Sequence, residues 1–430
     1  MKILVVGGGA REDALSWRLE SSPSCSAVYA APGNAGTASR GENWPLAATD
    51  GKAIVQKCRE ESIDLVVLGP ETAIAAGVGD RLRDARIPTF GPNRSAGRLE
   101  SSKVFSKRFM ERNGVPTARA VIVRSLGAAR KALEDWVGAC VIKADGLASG
   151  KGVVVTPSPA VARAVLTDWF TSNNIPGGGS DVLLEEKLEG REVSVFALSD
   201  GSTMLPFAAA CDYKRAGDND TGPNTGGMGA YSPPSDFPSN LYNEVRHRIL
   251  EPVMRGLRSE GEPYIGVLYC GLMWNATGPK VIEFNARFGD PETQVLMPRV
   301  SGDFALLLKS AADGALDPSL ASFSDESCVA VVLATSDYPK SNTPLRGLSR
   351  AIALPNRAQA FWGNSRMHDG AIDSDGGRVL TVSALGADMV QARKTAYEAV
   401  YAVAAQTRAA SNLTYRTDIA ANFNLQNATQ

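Results

Sequence analysis

The chain has 430 residues, 44% apolar and 21% charged, with a formal net charge of -1. A chain of this length accommodates two to four domains with cores of their own, and its charge argues against an extended nucleic-acid or anionic-membrane surface while leaving room for a local basic pocket. Six scattered cysteines without a CxxC pair, and two histidines far apart (His247 and His368), support neither a His-rich metal site nor a Ser-His-Asp triad.

The apolar run Ile3-Leu4-Val5-Val6 reads as a strand buried on both faces. It is too short for a signal-peptide core, and no run reaches the ~18 apolar residues of a membrane span, so a cytoplasmic protein is expected. Gly7-Gly8-Gly9 turns the chain into a helix carrying Ala14, Leu15 and Trp17. Asp64–Leu68 repeats the strand pattern and stops at Gly69-Pro70, so repeated βα units predict a parallel sheet closing near residue 102. A helix from about Lys103 to Arg112 leads to a compact α+β segment over 121–186, with strands at Cys140–Lys143 and Val153–Val155. A larger α+β section runs to about 326, with a Gly- and Asn-rich loop over Asp218–Gly229 and a strand at Lys280–Asn285. The last hundred or so residues read as another small domain, with strands at Val329–Leu333 and Arg378–Val382 and an amphipathic helix from Met389 to about Ala405.

Five segments carry possible chemistry. The glycine turn at 7–9 fits an anion at a helix N-terminus or a plain βα turn. A dinucleotide fingerprint needs glycine at position 12, which is Glu12, so a nicotinamide dehydrogenase remains an alternative on that turn alone. Lys143-Ala144-Asp145-Gly146-Leu147-Ala148-Ser149-Gly150-Lys151-Gly152 ends an apolar strand in a loop whose backbone N–H groups can approach phosphate, or forms a surface hairpin. Val182 to Leu188, then Glu192, forms an acidic strand end, suited to a purine and its ribose or simply solvated. In Val281–Glu292, strand alternation puts Glu283, Asn285 and Arg287 on one face. A carboxylate and an amide oxygen suit a hard ion such as Mg²⁺, and Arg287 suits a phosphoryl group in transit; a half-exposed sheet face is the bland reading. The Asp218–Gly229 segment is too irregular for a simple linker, and long ordered loops are often functional.

In this order the segments resemble those of the ATP-grasp ligases, and in detail those of the glycinamide ribonucleotide synthetases. The resemblance runs from Lys2 to Ile419 and includes Ala31–Asn34, Gly69-Pro70-Glu71, Leu99-Glu100 with Ser102-Lys103, Lys214-Arg215, Asp220–Pro233, Glu283–Gln294 and Gly376–Val379. It implies an N-terminal parallel α/β domain (1–102), an ATP-grasp domain (103–326) with a mobile lid at about 121–186, and a small C-terminal α+β domain (327–430). It also implies ATP and Mg²⁺ or Mn²⁺ as cofactors, and a small amino acid and an amine as substrates. No nucleic-acid or membrane partner is implied; a monomer or weak dimer is expected.

The resemblance distributes roles by residue. ATP would meet Lys103, Lys143, Gly146, Ser149, Gly150, Gly152, Glu185, Glu186, Leu188, Glu192 and Lys214. Glu283 and Asn285 would hold the metal, and Lys143, Asp212, Asn224, Arg287 and Asp290 would serve the reaction. Gly9, Arg11, Asp13, Gly33, Asn34, Pro70, Glu71, Thr225, Gly226, Arg287 and Arg378 would hold substrate. The implied reaction phosphorylates a carboxylate and passes its acyl group to an amine. A paralogue using another amine and a non-catalytic ATP-binding relative are the other readings. Four segments depart from the family's strings: Asp13 where histidine is usual, Thr72-Ala73-Ile74, Phe361–Ser365, and Lys187 at a hinge position that is usually apolar or aromatic. Asp13 is expected to set a carboxylate beside the substrate's sugar phosphate, a like-charge contact.

Overall fold

The computed structural model describes residues 1–147, 152–172, 174–234, 237–349, 352–407 and 412–421. Its N-terminal part is the expected parallel sheet, in spatial order Glu42–Asn43, Ala27–Pro32, Lys2–Gly7, Leu65–Leu68 and Thr89–Phe90. Both faces of its central strands are covered: Ile3 and Val5 pack into one core and Leu4 and Val6 into another, which is why these strands read as unbroken apolar runs.

The helix Lys103–Arg112, opened by the Ser102 hydroxyl, which accepts the Phe105 N–H, leads into a four-stranded antiparallel sheet. Its order is Ala120–Val123, Val182–Glu186, Cys140–Ala144, Val153–Thr156. Two helices, Leu126–Glu134 and Pro159–Thr171, share a separate core with it. The root of this unit is stitched to the body: Val281 N–H donates to Pro116 O at 2.7 Å, and Thr117 Oγ1 to Val281 O at 2.8 Å.

The body is a second, larger antiparallel sheet. It runs from Gly278–Asn285 through Ile265–Asn275, Arg191–Asp200, Met204–Asp212 and Gly229–Ser232 to Ser327–Thr335, Arg378–Gly386 and Ala358–Trp362. The C-terminal strands, read from sequence as another small domain, therefore prolong the body's sheet, because Gly229–Ser232 pairs with Ser327–Thr335. The helix Met389–Gln406 packs on these strands with Ala392, Ala396, Val400 and Val403 buried. The segment expected as a loop at 218–229 is more regular than that: Thr221–Asn224 pairs with Arg215–Gly217 in a two-stranded ribbon. Arg416 anchors this ribbon from the far C-terminus, bonding Asp220 Oδ1 and the Arg215 carbonyl.

Candidate active site

Charged side chains of the four-stranded sheet and of the body come together around Lys143 and Glu283. From the former, Lys143 Nζ donates to Glu185 Oε2 at 2.7 Å and to Ile282 O at 2.9 Å. Lys103 Nζ donates to Gly146 O at 3.2 Å, and Asp145 accepts the Val104 N–H at 3.0 Å, so the helix start and the head of the glycine loop hold each other. Gly152 O accepts the Ala144 N–H; Ser149 and Gly150 lie outside the described residues. Glu186 donates its N–H to Arg119 O and faces Lys280 Nζ at 3.4 Å, and Leu188 follows the strand end.

On the opposite wall the predicted alternation is present. Glu283 lies across from Gly271, and Asn285 lies across from Tyr269. Among the described residues no hydrogen bond or close ion pair reaches the Glu283 carboxylate. Burial pushes its pKa up, but Lys143, Lys214, Lys103 and Arg287 together hold it below the ordinary value. Lys214 Nζ meets Glu192 and Asp212 Oδ1, the latter at 3.1 Å. Burial works against this ammonium, yet the two carboxylates keep its pKa well above ordinary. Asp212 and Glu192 are themselves raised by burial. Hence four cations act on one unpaired carboxylate, an arrangement that accommodates a polyanion carrying its own metal. The described residues contain no group of three or more metal-ligating His, Cys, Asp or Glu side chains. The pair Glu283 and Asn285 instead fits Mg²⁺, which takes few protein ligands and keeps phosphate or water oxygens.

Next to this pair, Arg287 NH2 bonds Asn285 Oδ1 at 3.2 Å and Glu100 Oε1 at 2.9 Å, and its Nε bonds Glu71 Oε2 at 3.3 Å. Burial opposes the charge, but Glu100 and Glu71 raise the guanidinium's pKa. Glu100 is locked in turn by the Ala286 N–H at 2.7 Å. Asp290 meets Arg378 NH1 at 3.2 Å; although burial pushes its pKa up, Arg378 and Arg11 hold it down. The same Arg378 nitrogen donates to Gly226 O at 2.8 Å, so the Thr225-Gly226 turn joins the node. Thr225 Oγ1 donates to Lys214 O and accepts the Gly227 N–H.

The N-terminal turn shows why its glycines are needed. Glu12 folds back so that Gly9 N–H donates to its Oε2 at 2.6 Å, and Arg11 Nε pairs with its Oε1 at 2.6 Å. A Cβ at Gly7, where φ is +127°, would fall 2.6 Å from Glu12 Cδ. Glu12 therefore occupies the helix N-terminus that sequence reasoning offered to an external anion or a dinucleotide.

Three sequence profiles cover most of the chain: the phosphoribosylglycinamide synthetase N domain over 1–100, its ATP-grasp (A) domain over 101–293 and its C domain over 328–422. The chain belongs to the phosphoribosylglycinamide synthetase family. A phosphoribosylamine–glycine ligase of Leifsonia xyli subsp. xyli is 46% identical over 98% of this chain and 100% of its own length. One from Mesorhizobium japonicum is 44% identical over 93% and 94%. The crystal structure of the Thermotoga maritima phosphoribosylamine–glycine ligase superposes with a TM-score of 0.83 at 31% identity, covering 97% of this chain and 100% of that one. A biotin carboxylase domain from Hydrogenobacter thermophilus shares the fold, with a TM-score of 0.67 at 13% identity over 96% of this chain and 90% of its own.

Against this family background, Asp13 is already engaged within the protein. Its carboxylate has no accessible surface, bonds Arg40 Nε at 2.6 Å and accepts the Trp362 N–H at 2.8 Å. It is a cross-brace between the first helix and the C-terminal strand Ala358–Trp362. Phe361 packs edge-on against Trp17 and lies beneath Arg40, so the departures at 13 and at 361–365 form one contact. Asn34 is likewise committed: its amide nitrogen donates to Gly8 O, Gly9 O and Trp362 O. Asn224 lies exposed on the ribbon, Gly33 donates its N–H to Gly7 O, and Pro70 precedes the helix Glu71–Ala75. Sequence reasoning gave no role to Lys107, Arg40 or Tyr338, whose hydroxyl accepts the Gly226 N–H at 2.8 Å. The spacing of Lys107 from Lys103 was the one available signal; Arg40 and Tyr338 had none.

Proposed function

We propose that this chain joins glycine to 5-phosphoribosylamine, converting ATP to ADP and phosphate and yielding glycinamide ribonucleotide for purine biosynthesis. The observation that carries the reading is the unpaired Glu283 carboxylate ringed by Lys143, Lys214, Lys103 and Arg287. It occurs in a chain 46% identical to a phosphoribosylamine–glycine ligase over the whole length of that relative. ATP lies between the four-stranded sheet and the body, with Lys103 and Lys143 at its phosphates, Gly146 and Gly152 flanking them, Glu186 and Leu188 backbone at the adenine and Glu192 at the ribose. Glu283 and Asn285 would hold Mg²⁺, with Mn²⁺ as the other hard ion that suits them, and the ion would offset charge on the triphosphate.

The glycine carboxylate attacks the γ-phosphorus, the bond to the β-phosphate oxygen breaks, and ADP leaves. Arg287 and Lys214 stabilise the charge that spreads over the phosphoryl oxygens. The amine of phosphoribosylamine then attacks the glycyl carbonyl carbon and phosphate departs with the C–O electron pair. Asp212, whose pKa burial raises, takes the proton the amine loses. Asp290, Thr225, Gly226 and Arg378 line the reacting centre, and Gly9, Arg11, Gly33, Pro70 and Glu71 face the amine substrate. Six unpaired cysteines suit a reducing cytoplasm. The divisions 1–102, 103–326 and 327–430 are retained as functional parts even though one sheet crosses the second boundary. The decisive assay is ADP release with glycine, with and without freshly generated phosphoribosylamine. Release that needs both substrates supports the reading; stoichiometric AMP, or no release with both, overturns it.

A further inference from the structure

We infer that Lys107 is a positioning residue for ATP: it holds Glu185 so that Lys143 keeps a free N–H and its positive charge for the triphosphate. The inference rests on the ATP site proposed above and names a residue outside it. Lys107 lies four residues after Lys103 on the helix Lys103–Arg112, so the two point the same way. Yet Lys107 cannot itself ligate phosphate. It is 2% exposed, and its three N–H donors are spent on Thr117 Oγ1 at 2.7 Å, Ala118 O at 2.9 Å and Glu185 Oε1 at 2.9 Å.

Lys143 differs by one donor. Its Nζ spends two, on Glu185 Oε2 and Ile282 O, and the third has no partner among the described residues. Glu185 stands between the two ammonium groups and gives one oxygen to each. A single carboxylate shared by two buried cations leaves the trio at net +1, and only Lys143 can pass that charge to a ligand. Without the Lys107 charge, Glu185 would pair with Lys143 alone, and the trio would present no net charge to the phosphates. Lys107 also spans the connection from the helix to the sheet, since Thr117 and Ala118 form the root of the four-stranded unit.

The test is ATP affinity, measured by calorimetric titration of MgATP into the full-length protein, alongside KM for ATP and for glycine. Lys107→Met should weaken MgATP binding by about tenfold, raise KM for ATP in step, and leave KM for glycine within about twofold. Lys107→Gln keeps two N–H donors for Thr117 and Ala118 but no charge; it should show the same shift and serves where Lys107→Met does not fold. In a Glu185→Gln background, Lys107→Gln should change MgATP affinity by less than about twofold, because a neutral amide cannot claim Lys143. A role confined to packing would lower the melting temperature without separating ATP from glycine. Folded Lys107 variants with wild-type MgATP affinity, or an equal loss in both backgrounds, overturn the inference alone. A wild-type protein that does not bind MgATP overturns the ligase reading with it.

Discussion

Replacing Asp13 by histidine, the residue usual for the family, should damage the fold rather than improve substrate binding. Asp13 has no accessible surface and pairs with Arg40, whose side chain is 14% exposed. Burial raises the Asp13 pKa against the pull of Arg40, so the intact pair contributes modestly. Removing one member is a different matter, because Arg40 is left nearly buried without its counter-charge. Breaking a buried pair in this way costs ~3–5 kcal/mol, and the small exposure of Arg40 places this case near ~3 kcal/mol. A loss of that size lowers the melting temperature by about 3 °C if all 430 residues unfold together. It reaches about 14 °C if an N-terminal unit of about 100 residues unfolds alone. Scanning calorimetry at neutral pH measures the shift, and the double variant Asp13→Ala/Arg40→Met should recover most of it, since no charge is then stranded. A melting temperature equal to wild type for Asp13→His, together with a lower KM for phosphoribosylamine, would refute the reasoning and place the carboxylate at the substrate.

Glu283→Ala should reduce ADP release at least about a hundredfold with the fold intact by circular dichroism, because this carboxylate is the one left unpaired among the cations; near-normal turnover would make the strand structural. Burial raises Asp212 above the ordinary carboxylate value, so it takes up its proton at higher pH than a solvated aspartate. The kcat/KM profile for the amine should therefore fall on acidification above that range, and Asp212→Asn should abolish this limb; an unchanged limb would exclude Asp212 as proton acceptor. Glu100→Gln should slow turnover about tenfold with little change in ATP affinity, since it frees one side of Arg287 while leaving Glu71 in place; a change in ATP affinity alone would contradict that division.

Local pattern made much of this molecule legible. Continuous apolar runs marked Lys2–Gly7, Leu65–Leu68 and Ser327–Thr335, because strands buried on both faces tolerate no polar side. The helix expected from about Lys103 to Arg112 is present over those residues, with Ser102 as its cap. Strand alternation put Glu283 and Asn285 on one face before any tertiary contact was known, and the same loop and strand strings carried the family resemblance. The ribbon at 215–224 was not readable, since its pairing depends on Arg416, about 200 residues further along the chain. Nor could the sequence show that the C-terminal strands complete the body's sheet, because strand pairing is a long-range hydrogen-bond choice that leaves no period in either partner.

What the sequence determined by itself is the set of elements and the chemical types at the site: lysines, an acidic strand, an arginine and glycine turns, each dictated by local geometry. What the tertiary structure alone decided is which charges are available. Asp13 and Glu12 look equally free in a linear string, yet Arg40 and Trp362 consume the first, and Gly9 and Arg11 the second. Lys107 and Lys143 are both lysines within regular elements, yet one has every donor spent and the other keeps one. The reason is physical: a buried charge must find its partner, and in a folded chain that partner is set by proximity in space, over separations that sequence spacing does not encode.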